Sequence, residues 1–274
     1  MILFRYHNFI DKKSEAFQGK IKRNQPVIKV EYSAQGVKVA TIPKLDGEDG
    51  LEIEADYAIS TIPLGVLQKK IVEFDPPFSK EKLDAIDKYK MGNYEKIYVQ
   101  FPENFWGTKE VLFSINTDRP PSESIMTWGL NLDIPKYFEN SRMLTFHSMG
   151  ATARTIASQD KKKTMKQVDA IMEKMFPGKA VPASNILVTN WTNDQYAYGS
   201  WAAMPEKFSK ENWSLVRKNE ERLYFAGEHT SYNVGFVHSA YQSGQKAAKD
   251  IYNDINNEPE PTPTIRRYCP GNMY

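Results

Sequence analysis

The clearest alternation of apolar and polar residues in the chain predicts a strand from Tyr94 to Phe101. One face of this strand carries Ile97, Val99 and Phe101. The opposite face carries Tyr94, Lys96, Tyr98 and Gln100. A lysine among aromatic residues is unusual, because burial disfavours its charged form. Either Lys96 serves a partly buried site, or this face meets solvent and the lysine stem covers apolar surface.

Further strands and helices follow from turn chemistry and periodicity. The segments 27–32 and 37–42, joined by a turn at 34–36, predict a β-hairpin. Shorter apolar runs predict strands at 51–53, 55–61, 142–147 and 186–191. Ser79 is a plausible cap for a helix that ends before Gly92. The apolar stripe from Asp160 to Phe176 predicts the clearest helix, which Pro177 terminates.

The segment from Leu223 to Tyr241 combines a strand, a loop and the start of a helix. Four apolar residues from Leu223 run into Gly227, so a buried strand ends abruptly there. After Gly235 the spacing becomes helical, and one face of the predicted helix carries Ala240, Gly244, Ala247, Ala248 and Ile251. Glu228 follows the strand's carboxyl end, where open α/β sheets place ligands. The pattern is equally compatible with a strand–turn–helix unit that binds nothing.

Composition and charge exclude several classes of protein. The 274 residues suffice for one large or two smaller domains, and the aromatic content of 12% is high. A net charge of +2 gives no electrostatic reason to expect nucleic acid or a membrane as partner. The one cysteine, Cys269, excludes an internal disulfide, and the four histidines lack metal-ligand spacing. No apolar run approaches the ~20 residues of a membrane span.

Four segments resemble one known family in the order expected for it. The run Tyr224–Ser231, followed by Gly235–Tyr241 and Ser243-Gly244, resembles the C-terminal FAD-binding signature of the flavin-containing amine oxidases, especially the polyamine oxidases. The other three matching segments are Asp56–Leu67, Met91–Pro102 and Asn190–Trp201. The resemblance covers about residues 25 to 255.

The resemblance implies a mixed α/β fold, with part of a Rossmann-like FAD-binding domain and a substrate domain built on a β-sheet with flanking helices. The expected division is a truncated lead-in (1–24), FAD-binding parts (25–78 and 201–255), a substrate domain (79–200) and a disordered Pro-rich tail (256–274). The family begins with a strand and a G-x-G-x-x-G loop that bind the pyrophosphate, and these 274 residues contain no such motif. We therefore expect a C-terminal portion of a longer protein, with its targeting signals and localisation unassigned.

The resemblance also assigns roles to particular residues. Lys96 aligns with the catalytic lysine that holds a water against flavin N5. The implied aromatic cage around flavin and amine consists of Tyr94, Trp191, Trp201 and Phe236. The implied cofactor-binding residues are Val27, Gly227, Glu228 and Val237. Covalent-flavin relatives carry a cysteine where this chain has Ser200, so we expect non-covalent FAD.

The implied reaction is hydride transfer from the α-carbon of an amine, a polyamine above all, to the flavin. Water then hydrolyses the imine to an aldehyde, and O₂ reoxidises the flavin to give H₂O₂. The alternatives are a non-catalytic fragment or binding module, a lysine demethylase and an amino-acid oxidase. A demethylase would need a partner-binding insertion between Phe101 and Trp191, and an amino-acid oxidase an arginine near the flavin. The oligomeric state is left open.

Overall fold

A five-stranded antiparallel sheet carries the predicted lysine strand at its centre. The computed structural model describes residues 6–42, 50–113, 128–206 and 208–257. In the order β11-β7-β10-β9-β8, the strands are Asn185–Val188, Tyr94–Gln100, Met143–Met149, Trp128–Asn131 and Val111–Phe113. The alternation of β7 is confirmed, because Ile97 and Val99 are fully buried. The sheet therefore has one core face and one face that carries Tyr94, Lys96 and Tyr98.

Two helices cover the core face of this sheet. They are α4 (Gly150–Ser158) and α5 (Lys161–Met175). The predicted α5 is confirmed: the Asp160 carboxylate caps it by accepting from the N–H groups of Lys162 and Lys163. Val168 and Met172 of α5 are fully buried against the sheet. Met172 and Met175 of this helix are packing residues in that core.

A second core lies under a four-stranded sheet of order β3-β2-β1-β5. Its strands are β1 (Val27–Tyr32), β2 (Val37–Thr41), β3 (Glu52–Ala55) and β5 (Glu73–Asp75). The predicted hairpin is confirmed as the antiparallel pair β1–β2, and β5 runs parallel to β1. Helix α3 (Lys80–Lys88) packs on this core, and the Ser79 hydroxyl caps it by accepting from the Lys82 N–H.

The predicted strand–loop–helix at Leu223 is confirmed. The parallel pair β4 (Ala58–Ser60) and β13 (Leu223–Phe225) leads into a short 3₁₀ turn and then α7 (Val237–Asn256). The remaining described elements are α2 (Leu64–Lys69), β6 (Lys90–Gly92), β12 (Trp201–Ala203) and α6 (Lys210–Arg217). This arrangement agrees with the mixed α/β class that the resemblance implied.

Two expectations from the sequence need correction. The predicted buried face of α7 included Ala248, but Ala248 is exposed while Ala247 is buried. Successive helical residues are 100° apart, so both cannot point at the same neighbour. No helix or strand was predicted in the lead-in 1–24, yet it contains α1 (Tyr6–Ser14) and a 3₁₀ turn from Glu15 to Lys20.

Other expectations stay open. The domain boundaries at 78/79 and 200/201 stay predictions. The Pro-rich tail lies outside the described residues beyond Asn257. Within the described ranges, no helix combines the length and apolarity needed to cross a membrane.

Candidate active site

The open face of the five-stranded sheet brings Lys96 beside His147 and Trp128. Cross-strand pairing places His147 of β10 opposite Lys96 of β7 on one side and opposite Trp128 of β9 on the other. The rings of His147 and Trp128 stack with centroids 3.8 Å apart and planes inclined by 6°. At the ring edge, His147 Nδ1 contacts the hydroxyl group of Tyr94. The predicted lysine thus lies half-buried in a cluster of aromatic residues.

Burial controls the protonation of this cluster. It lowers the pKa of His147 to about 4, and the nearby Lys96 charge lowers it further. His147 is therefore a neutral imidazole at physiological pH. Burial also raises the pKa of the Tyr94 phenol, with a smaller contribution from Tyr98, so the phenol keeps its proton.

Trp201 extends the cluster towards a second segment of the chain. Its ring centroid lies 5.2 Å from that of Tyr94. Trp201 pairs with Gly92 across the two-stranded sheet β12–β6. A Cβ atom at Gly92 would lie 3.1 Å from the indole Nε1, so a side chain there would displace the indole. The close approach of Trp201 to β6 therefore depends on glycine at this position.

Glu228 connects the Trp201 segment to the start of α7. Its Oε1 accepts from the N–H of Ala202 at 2.9 Å, and its Oε2 accepts from the N–H of Gly235 at 2.6 Å. The neighbouring Gly227 has φ of +126°, and a Cβ atom there would lie 2.7 Å from the His229 ring. The predicted cofactor residues Gly227 and Glu228 thus shape the backbone of the site.

Large apolar side chains lie exposed at this junction. Trp191, Trp201, Phe236 and Val237 have exposed fractions of 48%, 38%, 57% and 47%. Phe236 occupies the cap position of α7 without a side-chain cap bond. The first-turn N–H groups of a helix have no intrahelical acceptor, so they can meet electron-rich ligand atoms. A flat aromatic surface next to such donors suits a ring system with carbonyl oxygens.

Sequence reasoning did not single out Glu95 or His147, and the structure places both at the site. Glu95 is fully buried on the core side of β7. Its carboxylate accepts from both hydroxyls of Thr189 and Thr192 at 2.6 and 2.8 Å, and from the N–H groups of Thr192 and Trp191 at 3.0 and 3.3 Å. Glu95 therefore holds the loop that presents Trp191. Glu95 alternates in the sequence with Ile97 and Val99, so the sequence could have predicted that its carboxylate points into the core.

Not every predicted residue lies in this cluster. Val27 begins β1 in the four-stranded sheet, packed on the second core, and not in the sheet of Lys96. Its implied adenine contact stays a prediction. Among the described residues, no group of His, Cys, Asp and Glu side chains has an arrangement that could hold a metal ion.

The fold has counterparts among oxidases of known structure. The chain matches the structure of cyclohexylamine oxidase from Brevibacterium oxydans IH-35A with a TM-score of 0.68 at 19% identity, over 89% of this chain and 51% of that one. It matches a putrescine oxidase variant with a TM-score of 0.70 at 17% identity, over 88% of this chain and 51% of that one. These two matches assign the chain to the amine-oxidase fold.

Sequence comparison identifies the family. Residues 6–252 match the family described as flavin containing amine oxidoreductase, and the chain belongs to it. Polyamine oxidase 1 of Zea mays is 32% identical over 248 residues, which are 89% of this chain and 47% of that protein. Lysine-specific histone demethylase 2 of Homo sapiens is 28% identical over 250 residues, 90% of this chain and 29% of that protein. The chain spans about half the length of the polyamine oxidases that it matches.

The cofactor of this family is FAD, and the described residues fit its isoalloxazine end. The exposed rings of Trp191, Trp201 and Phe236 offer flat apolar surface, and the first turn of α7 offers N–H donors. Glu228 holds Ala202 and Gly235 at fixed positions between these groups. The chemistry of the site therefore agrees with the cofactor that family membership indicates.

Proposed function

We propose that this chain belongs to an FAD-dependent amine oxidase that acts on a polyamine. It would supply the surface that binds the amine and the surface that contacts the isoalloxazine ring. The observation that carries the proposal is the contact of Tyr94 with Trp201 beside the half-buried Lys96, at the junction that Glu228 holds. When bound, FAD would supply the hydride acceptor and the subsequent reaction with O₂ that gives H₂O₂. The side chains of this chain would bind the amine, orient it and exclude water.

Aromatic side chains and Lys96 have separate roles in binding the amine. Tyr94, Trp201 and Phe236 form a cage whose aromatic faces attract an alkylammonium ion and exclude water. Loss of hydride from the α-carbon requires the neutral amine. The positive charge of Lys96 disfavours a second cation in the site and so promotes deprotonation of the amine. Lys96 would also hold a water beside the bound flavin, and water would hydrolyse the imine to an aldehyde and release the other amine.

The assignment to polyamines is supported by the higher identity to plant polyamine oxidases than to histone demethylases. An amino-acid substrate would need an arginine at the site to bind its carboxylate. Arg142 instead donates to the carbonyl of Pro102 at 2.9 Å, beyond the end of β7 opposite Tyr94. Arg154 lies exposed on α4, which packs on the other side of the sheet. Neither arginine supports that alternative.

We propose that the FAD is non-covalent. Covalent-flavin relatives have a cysteine at the position of Ser200, and the Ser200 hydroxyl is engaged by the backbone of Tyr94. A hydroxyl that both accepts and donates within the protein has no role as an attachment point. Denaturation should therefore release all bound flavin into the supernatant.

The test is to incubate the purified chain with FAD and to measure flavin absorbance after desalting, then peroxide release from spermidine and spermine. We expect bound flavin and peroxide, and about a 100-fold loss of kcat in Lys96→Met. Lys90→Met is the matched control, because Lys90 is an exposed lysine on the adjacent strand β6, and it should keep full activity. Bound flavin without peroxide would exclude amine oxidation, whereas no bound flavin would favour the non-catalytic alternative.

A further inference from the structure

On the open face of the five-stranded sheet, Trp128 lies directly opposite His147, and Tyr94 lies diagonally across from it, two residues before its direct partner Lys96. Trp128 covers the plane of the His147 ring, and the Tyr94 hydroxyl meets the ring at Nδ1. His147 is only 5% exposed. The other ring nitrogen, Nε2, is buried and has no hydrogen-bond partner among the described residues. The imidazole is therefore held by two aromatic side chains, and within the described part of the chain its side-chain hydrogen bonding is to Tyr94.

The direction of that polar contact follows from the chemistry of the two groups. A phenol O–H is more acidic than the N–H of a neutral imidazole, and an imidazole nitrogen is more basic than a phenol oxygen. Burial and Lys96 keep His147 neutral, so one ring nitrogen is free to accept. Tyr94 therefore donates its proton to Nδ1, and Nε2 carries the imidazole N–H.

This direction limits what Tyr94 can offer to a ligand. A phenol has a single O–H, and His147 Nδ1 takes it. The remaining capacity of the Tyr94 oxygen is to accept. The Tyr94 ring also touches Trp201, so the oxygen belongs to the wall of the proposed amine cage.

We propose that His147 is a positioning residue that makes Tyr94 an obligate hydrogen-bond acceptor towards the substrate amine. The inference rests on the proposed function and adds the recognition of the reacting nitrogen. It selects primary and secondary amines, which carry an N–H to donate, over tertiary amines, which carry none when neutral.

The acceptor role matters for the chemistry of the amine. As the α-C–H bond breaks, its electron pair leaves as hydride, and the nitrogen lone pair forms the C=N bond. A phenol that donated to this lone pair would hold it back and slow the step. A phenol that accepts from the amine N–H leaves the lone pair free and stabilises the positive charge that develops on nitrogen.

The first test does not require turnover. The full chain, labelled with ¹⁵N-histidine, is measured by NMR at neutral pH, and the His147 signals are assigned by their loss in His147→Leu. We expect an unprotonated Nδ1 and a protonated Nε2. The opposite tautomer would overturn the inference, because Tyr94 would then receive the imidazole N–H and keep its own proton for the amine.

The second test separates this role from a structural one. His147→Leu should lower kcat for a secondary amine about 10-fold with little change in KM, the value of one hydrogen bond. His147→Asn should restore most of kcat, because an Asn Oδ1 can occupy the place of Nδ1. In a Tyr94→Phe background, His147→Leu should have no further effect on kcat.

The outcomes distinguish this inference from the proposed function. Wild-type turnover with unchanged kcat in His147→Leu would overturn the positioning role and leave the amine oxidase intact. Equal losses in His147→Leu and His147→Asn, with kcat still falling in the Tyr94→Phe background, would overturn it in favour of simple packing. A wild-type chain that binds FAD and releases no peroxide would overturn both.

Discussion

The hydroxyl group of Ser200 forms two hydrogen bonds with the backbone of Tyr94. It accepts from the Tyr94 N–H at 2.8 Å and donates to the Tyr94 carbonyl at 2.9 Å. The two residues are 106 positions apart in the chain. This pair therefore fixes the loop before Trp201 to the first residue of β7, and it sets how closely Tyr94 and Trp201 approach.

Replacing Ser200 with alanine should destabilise the protein by about 1–3 kcal/mol, since two half-buried hydrogen bonds are lost. Urea denaturation followed by far-UV circular dichroism measures the change. Ser184→Ala is the matched control, because the Ser184 hydroxyl donates to the Gln100 carbonyl at the exposed end of β7. It should change stability by less than about 0.5 kcal/mol. Equal effects of the two substitutions would contradict the prediction.

Replacing Glu95 with glutamine should cost about 2–4 kcal/mol of stability and disorder the Trp191 loop. The carboxylate accepts four hydrogen bonds, whereas a glutamine side chain points an NH₂ group at some of the same donors. Near-UV circular dichroism and the emission of Trp191 report the loop. Glu52→Gln removes a partly exposed ion pair with Lys38, so it should change the free energy of unfolding very little. A stable Glu95→Gln with native tryptophan spectra would refute this role.

Acidification should destabilise the fold through His229. Burial lowers the pKa of His229 to about 4, from an ordinary value of 6.5, and the charge of Lys82 acts in the same direction. Between pH 6.5 and about 4 the unfolded chain binds a proton that the folded chain does not, so stability falls as pH falls. The loss from this group is about 3 kcal/mol.

The measurement is the unfolding free energy at steps of pH from 7.5 to 4.5. His229→Asn should reduce the slope in this window, whereas substitution of the exposed His238 by asparagine should leave it unchanged. An unaltered slope in His229→Asn would contradict the prediction, because it would show that His229 binds its proton at the same pH in the folded and the unfolded chain.

Alkaline pH should stabilise the fold through Lys82. The side chain is 1% exposed and its ammonium group lies 3.8 Å from the centre of the Phe225 ring. Burial lowers the pKa of Lys82 to about 8, although Glu220 acts in the opposite direction. From pH 8 upwards the folded chain releases a proton that the unfolded chain retains until 10.5, so stability rises by up to about 3 kcal/mol.

Unfolding measured between pH 7.5 and 9.5 tests this rise before tyrosine ionisation intervenes. Lys82→Met should abolish it. Lys80→Met should keep the rise, because Lys80 is an exposed residue two positions earlier on the same helix and forms an ion pair with Asp84. A rise that persists in Lys82→Met would assign the effect to another group.

The sequence predicted elements well where one periodicity dominated. The alternation in β7 and the apolar stripe of α5 each correspond to one buried face, so their positions could be inferred from local pattern alone. Helix α1 was missed because its contacts give little periodicity: the described Ile10 is 57% exposed. Phe9 of this helix packs edge-on against Tyr241, and this contact depends on the distant start of α7.

In the candidate site, too, contacts between distant segments could not be predicted from local pattern. Family resemblance singled out Lys96 and Trp201, but it gave no reason to look at His147. The role of His147 depends on strand register, which pairs it with Lys96 on one side and with Trp128 on the other. The alternation of Leu144 and Phe146 with His147 indicates which face the histidine occupies, but it does not indicate which residues of β7 and β9 lie beside it.

The contacts that build the proposed aromatic cage also bear on how the chain folds. Ser200 reaches Tyr94 across 106 residues, and the Tyr89 hydroxyl reaches the carbonyl of His229 across 140. Ordering such long loops costs entropy before any contact repays it, so these pairs cannot act as an early nucleus. The cage is therefore completed late in folding, after the local hairpin and helices. Until the segment around Ser200 docks on β7, Tyr94 of a nascent chain lacks its contact with Trp201.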